Sequence, residues 1–119
     1  MTVRRIKTYS ADTGYVYQYY FEAVRPQQQR GGQEGTEYVY SVSRDRKHRF
    51  AVPIFLHREA LEAWARVHGR PLTGTEEYAA AKMRLFSAFD EIQELEAERL
   101  TIEVTPENLE ALLAQLDIG

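Results

Sequence analysis

The chain has 119 residues, no cysteine and a formal net charge of -3. This length suits one domain covering residues 1–119, and the lack of cysteine excludes disulfides, thiolate zinc sites and cysteine nucleophiles. The basic N-terminus is not followed by the apolar stretch of a signal peptide, and no apolar run is long enough to span a membrane, so we expect a cytoplasmic protein.

The charges are distributed unevenly along the chain. Residues 1–58 hold ten Lys or Arg against five Asp or Glu, whereas residues 59–119 hold five against thirteen. Such asymmetry indicates either a nucleic-acid surface on the basic half or complementary faces of a self-associating protein.

The first part of the chain predicts two antiparallel strands and a loop. Aromatic residues alternate through residues 15–22, which indicates a strand, and residues 3–9 form a weaker strand before a turn containing Asp12 and Gly14. Residues 26–35 contain no apolar side chain to bury and three glycines, so we predict a mobile loop there.

Two further strands are expected over residues 37–43 and 48–55, joined by a hairpin tip at residues 44–47. Pro53 has no N–H to donate to a neighbouring strand. The fourth strand is therefore predicted to lie at the sheet edge, or to have an edge-like end at this position.

The second half changes to helical periodicity. We predict a helix over residues 57–68, then a capping box from Thr73 to Glu76 that begins a long helix whose apolar stripe runs from Tyr78 to Leu95. Residues 100–104 alternate as a short strand, and the pair at 105–106 precedes a last helix. Its apolar stripe consists of Leu109, Leu112, Leu113 and Leu116.

The order ββββααβα predicts an α+β fold, in which a mostly antiparallel meander is covered on one face by helices. The inner face toward the helices should carry the more apolar set: Tyr15, Tyr17, Tyr19, Tyr38, Tyr40, Phe50 and Val52. The outer face is mixed, because Val16, Tyr20, Val39, Ala51 and Phe55 alternate with polar residues. That face is more apolar than a solvated sheet face needs to be.

We predict a non-enzymatic binding or interaction module whose working surface is either the mixed outer face or the groove between the sheet and the first helix. The proposed contacts are Tyr20, Val39, Arg49 and Phe55. If the long helix extends past Phe89 beyond the sheet, Ile92 and Leu95 need a partner as well, and a homodimer is the commonest solution. The sequence does not identify a protein or small-molecule partner.

A nucleic-acid interface is the alternative. The hairpin tip carries four cations beside an aromatic sheet, an arrangement that can bind phosphates and stack bases. The cations are Arg44, Arg46, Lys47 and Arg49. Against this interpretation, the tyrosines are expected on the buried face, where bases cannot reach them.

Evidence for enzymatic or metal chemistry is weak. Ser43, Asp45 and His48 lie close in sequence, but residues at a hairpin tip point into water rather than into a cleft. Of the three histidines, none lies four residues from another, so no metal site is predicted, nor any cofactor. An enzyme would require a pocket assembled from distant residues such as Tyr17, Arg49, His57 and Glu62.

Overall fold

The computed structural model describes residues 5–118. The strands are β1 Lys7–Ser10, β2 Val16–Arg30, β3 Gln33–Ser43, β4 Phe50–His57 and β5 Glu103–Val104. The helices are α1 Arg58–His68, α2 Gly74–Glu91, α3 Leu95–Glu98 and α4 Leu109–Ala114, with a 3-10 turn over Arg99–Thr101. None of these helices is long and apolar enough to cross a membrane.

The sheet confirms the predicted α+β architecture. Its strands lie in the order β1-β2-β3-β4-β5, with antiparallel pairing except between β4 and β5, which run parallel. The first strand begins at Lys7 and continues to Ser10. Residues 3 and 4 of the predicted strand lie outside the described part of the chain.

The helices pack on the predicted inner face and form one core with it. Tyr17, Tyr40 and Val52 are completely buried, as are Leu85 and Phe89 of α2, which lie against them. The alternation of aromatic residues along β2 and β3 places these side chains on one face, because successive side chains in a strand point to opposite faces. Tyr15, at the start of this series, stays 36% exposed.

The prediction of a mobile loop over residues 26–35 is wrong. β2 continues to Arg30 and β3 begins at Gln33, so this segment is the end of a long hairpin closed by Gly31 and Gly32. Both glycines have positive φ, 59° and 79°, as a tight two-residue turn requires. The strands here are polar and lack the apolar alternation by which strands are recognised in a sequence.

Two irregularities bend this hairpin. The β2–β3 register shifts between Phe21 and Ala23 and again between Arg25 and Gln28, where Gln27 has a φ of 56°. Extra residues of this kind increase the twist of a strand and change its direction. The bend brings Arg30 to the residue that precedes β5, where its Nη1 donates to the Ile102 carbonyl at 3.1 Å.

β4 has the predicted edge-like end at Pro53. β4 is not the outermost strand, because β5 pairs with its Phe55 and Leu56. Pro53 is paired with Val39 of β3 but not with β5, and its carbonyl accepts a long hydrogen bond from Arg30. The predicted strand over residues 100–104 is reduced to Glu103–Val104 because Leu100 belongs to the 3-10 turn and is 58% exposed.

The predicted extension of the long helix to Leu95 is also wrong. The capping box is present, since Thr73 Oγ1 accepts from Glu76 N and Glu76 accepts from Thr73 N, but α2 ends at Glu91. The chain then turns, and Leu95 is completely buried in the chain's own core. The apolar end of the helix therefore needs no second subunit to cover it.

Candidate functional site

The predicted outer-face contacts do not form an open surface. Val39 and Phe55 are 1% and 0% exposed, so neither is available to a partner. Arg49 lies over the Tyr20 ring at 4.9 Å and donates to the Ser41 side chain and carbonyl at 2.8 and 3.1 Å. Of the four predicted residues, Tyr20 and Arg49 remain half-buried, and they contact each other.

A second arginine covers the other half of the outer face. The Arg30 guanidinium lies 4.8 Å from the centre of the Phe55 ring and also contacts Glu37. Arginine can cover apolar surface with its stem while its planar head group interacts with an aromatic ring. The bent hairpin therefore covers the outer face around Phe55, whereas Val16 on the same face stays 50% exposed.

The basic hairpin tip is partly occupied by contacts within the chain. Arg44 lies over the Tyr15 ring at 4.1 Å and donates to the Gln93 carbonyl at 3.0 Å. Asp45 orders the turn by accepting from the backbone N–H groups of Lys47 and His48. Arg46 and Lys47 extend into solvent, so the four cations do not form one continuous binding surface.

No catalytic triad forms at this tip. Ser43 Oγ donates to Asp45 at 3.2 Å, while His48 Nε2 contacts Glu96 at 2.8 Å rather than the serine. Ser43 and Asp45 thus stabilise a turn.

The histidine at the tip gives a testable pKa. The hydrogen bond to Glu96, followed by the charge of that carboxylate, raises the His48 pKa above its ordinary value of 6.5. We expect Glu96→Gln to lower this pKa toward 6.5, as measured by NMR titration of the imidazole. Because the His48 pKa is higher in the folded protein than in the unfolded chain, protonation of His48 stabilises the fold. This stabilisation is fully present below pH 6.5 and is lost as the pH rises through the folded-state pKa of His48. Glu98→Gln on the same helix is the control, and an equal shift in both variants would contradict the pairing.

The distant residues proposed for an enzyme pocket do not converge. Tyr17 stacks on Phe89 in the core, His57 pairs with Glu103, and Glu62 pairs with Arg58. Arg49 lies on the opposite sheet face from Tyr17, over Tyr20.

A different site lies between β1, β2 and α2, and we call it the lysine-tyrosine pocket. It is a cavity of about 150 Å³. Its lining includes three cations and three aromatic side chains: Arg5, Lys7, Lys82, Tyr19, Phe21 and Tyr78.

Local structure explains how these side chains meet. Lys7 is paired with Tyr19 across β1 and β2, which places both on the inner face. Tyr78 and Lys82 are four residues apart in α2 and therefore share one side of the helix. The Phe21 ring packs edge-on against Tyr78, with centroids 5.1 Å apart. The pocket thus lies at the edge of the sheet, where α2 crosses the first two strands.

The pocket is electropositive. Partial burial, followed by a hydrogen bond and repulsion from Lys7, lowers the Lys82 pKa below its ordinary value. Within residues 5–118, none of the three cations forms an ion pair with a carboxylate. Two ammonium groups in contact repel each other unless an anion lies between or beside them.

The tyrosines supply neutral hydroxyl groups to the same region. Burial, followed by the electrostatic interaction with the Tyr78 phenol, raises the Tyr19 pKa. Beneath Tyr78, the Tyr40 hydroxyl is completely buried and has no hydrogen bond of ordinary geometry within the described chain. Burial and the neighbouring Tyr78 phenol raise the pKa of Tyr40 as well, so the Tyr19 and Tyr40 hydroxyls stay protonated and can donate hydrogen bonds.

This pocket was not among the sites predicted from the sequence. A signal was present, because Lys82 lies between Tyr78 and Phe86 at four-residue spacing, which puts a cation in an aromatic row. The Lys82 ammonium lies 5.9 Å from the centre of the Phe86 ring. Which residue of β1 faces this row depends on strand register, and that could not be read from the sequence.

Other polar clusters do not resemble metal centres. Within the described residues no three His, Asp or Glu side chains are grouped as metal ligands.

The chain matches no protein-family model, and neither a curated protein nor a solved structure is significantly similar to it.

Proposed function

We propose that the protein is a small cytoplasmic, non-enzymatic binding module that holds an anionic group in the lysine-tyrosine pocket. The observation that carries this proposal is the convergence of Arg5, Lys7 and Lys82 on one cavity without a carboxylate partner among residues 5–118. An anion from outside the chain offsets the repulsion between the two lysines, which makes binding favourable.

The size of the pocket favours an ion or a small charged group. Its volume of about 150 Å³ is below the roughly 300–1,000 Å³ usual for sites that enclose a drug-sized ligand. The Tyr19 phenol, whose pKa is raised by burial, offers a hydrogen bond without adding negative charge, and Tyr78 places a second hydroxyl-bearing side chain in the lining. A larger ligand can therefore place only its anionic end here.

The alternative function and the homodimer predicted from the sequence have less support. Nucleic-acid binding was predicted to use Arg44, Arg46, Lys47 and Arg49. Two of these cations lie over tyrosine rings of the same chain, Arg44 over Tyr15 and Arg49 over Tyr20. The homodimer was predicted partly because Leu95 at the end of the long helix needed a partner, but Leu95 is buried within the chain. Self-association remains a separate prediction, which light scattering across protein concentration tests.

The proposal predicts that anions bind wild-type protein and that replacing both lysines weakens binding about tenfold or more. The magnitude follows because hydrogen bonds to charged groups contribute about 1.5–3 kcal/mol each. The variant is Lys7→Gln with Lys82→Gln, and the measurement is calorimetric titration with inorganic phosphate at low ionic strength, where screening is weakest.

The matched control is Lys47→Gln, which removes a cation from the hairpin tip and leaves the pocket intact. We expect it to bind phosphate like the wild type. Wild-type binding that the double variant retains, or a loss in the Lys47 variant alone, would place the anion elsewhere. Absence of binding to any anion would end the proposal.

A further inference from the structure

We infer that the anion held in the lysine-tyrosine pocket is the dianionic form of a phosphate group, an inference that rests on the proposed function. The arrangement of the donors points to this ligand rather than to a carboxylate. Lys7 approaches from β1, Lys82 from α2, and Arg5 from the segment before β1.

Charge is the first argument. The side chains of Lys7 and Lys82 line one cavity, and Lys82 is half-buried. A single negative charge leaves this pair with a net positive charge in a partly desolvated place, whereas a dianion neutralises both. The preference is stronger than in water because the local dielectric constant is lower.

Shape is the second argument. A carboxylate presents two oxygens in one plane, which suits the fork of a single arginine. The donors here come from β1, β2, α2 and the segment before β1, and they include phenols, Tyr19 of β2 and Tyr78 of α2. A tetrahedral group with oxygens in several directions matches such donors better.

The phosphate has two sources that the pocket accommodates, a free ion and a phosphate ester. The rings of Phe21 and Tyr78 meet edge-on at 5.1 Å and form an apolar wall beside the cations. An ester whose organic part is aromatic gains contact with this wall, while inorganic phosphate does not.

The experiment compares inorganic phosphate, phenyl phosphate and acetate at equal ionic strength by calorimetric titration of wild-type protein and Lys82→Gln. We expect inorganic phosphate to bind wild-type protein at least about tenfold more tightly than acetate at pH 7.5, because the second ammonium contact is added. That advantage should shrink at pH 5, where the phosphate is a monoanion, because the second pKa is about 6 for a phosphate ester and higher for the free ion.

The outcomes separate this inference from the proposed function. Equal binding of acetate and phosphate overturns the phosphate assignment and leaves an anion pocket. Binding that Lys82→Gln does not weaken overturns both. Tighter binding of phenyl phosphate than of inorganic phosphate supports the inference with an ester as the source, and equal binding supports it with the free ion.

Discussion

Replacement of Phe89 by alanine lowers the free energy of unfolding by about 3–5 kcal/mol, the usual range for removing a buried phenylalanine. Phe89 is completely buried, and its ring stacks on Tyr17 with centroids 4.3 Å apart and lies 5.4 Å from Tyr9. The cavity left by alanine cannot close easily, because Tyr17 and Tyr9 are held by the strands on which they lie.

Urea denaturation measures this effect as a lower midpoint at unchanged slope. Val67→Ala on α1 is the control, because Val67 is 78% exposed and its replacement should change the stability by less than about 0.5 kcal/mol. A loss below about 1 kcal/mol in the Phe89 variant would show that the aromatic cluster is not packed as described.

Gly35→Ala is expected to lower the free energy of unfolding by about 1–3 kcal/mol, as overpacking commonly does. A methyl group at this position would lie 2.5 Å from the Leu56 carbonyl oxygen and 2.7 Å from the end of the Phe55 ring. The carbonyl belongs to the neighbouring strand, so relief requires a shift of backbone pairing between β3 and β4.

Gly74→Ala is the matched control, since the same chemical change at the start of α2 meets no atom within 4 Å. It should be neutral or stabilise the protein by roughly 0.4–1 kcal/mol, because alanine reduces the freedom of the unfolded chain. Thermal and urea denaturation of both variants test the pair. Equal effects of the two substitutions would contradict the close packing of Phe55 beneath Gly35.

The parts of the fold that could be predicted are those whose burial repeats regularly along the chain. Tyr17 and Tyr19 alternate along β2, and Thr73 with Glu76 forms a capping box, so these local patterns determine the inner face and the start of α2. Both signals depend on neighbours in sequence, which is why they needed no knowledge of the tertiary structure.

The end of α2 could not be predicted because distant residues fix it. Asp90 accepts from Tyr9 at 2.7 Å and from the Asp12 backbone at 2.9 Å, and Arg44 binds the Gln93 carbonyl just beyond the helix. No proline or glycine occurs between Asp90 and Leu95 to mark the end of the helix. The apolar periodicity therefore continued past the position where tertiary contacts turn the chain.

The outer face shows why a binding surface is difficult to infer from alternation alone. The apolar residues Val39 and Phe55 were correctly expected on that face, but the cover comes from Arg30 and the bent hairpin. Similarly, the lysine-tyrosine pocket depends on the pairing of Lys7 with Tyr19 and on how α2 is rotated against the sheet. Neither the strand pairing nor the rotation of α2 can be read from the local sequence around a pocket residue.

Anion binding in the lysine-tyrosine pocket can be tested most directly by NMR, by following the backbone amide signals of the wild-type protein during titration with inorganic phosphate. We expect the largest shifts in the amide signals around Lys7, Tyr19 and Lys82, with the amides of residues 44–49 nearly unchanged. Shifts confined to residues 44–49, or no shifts at all at low ionic strength, would contradict it.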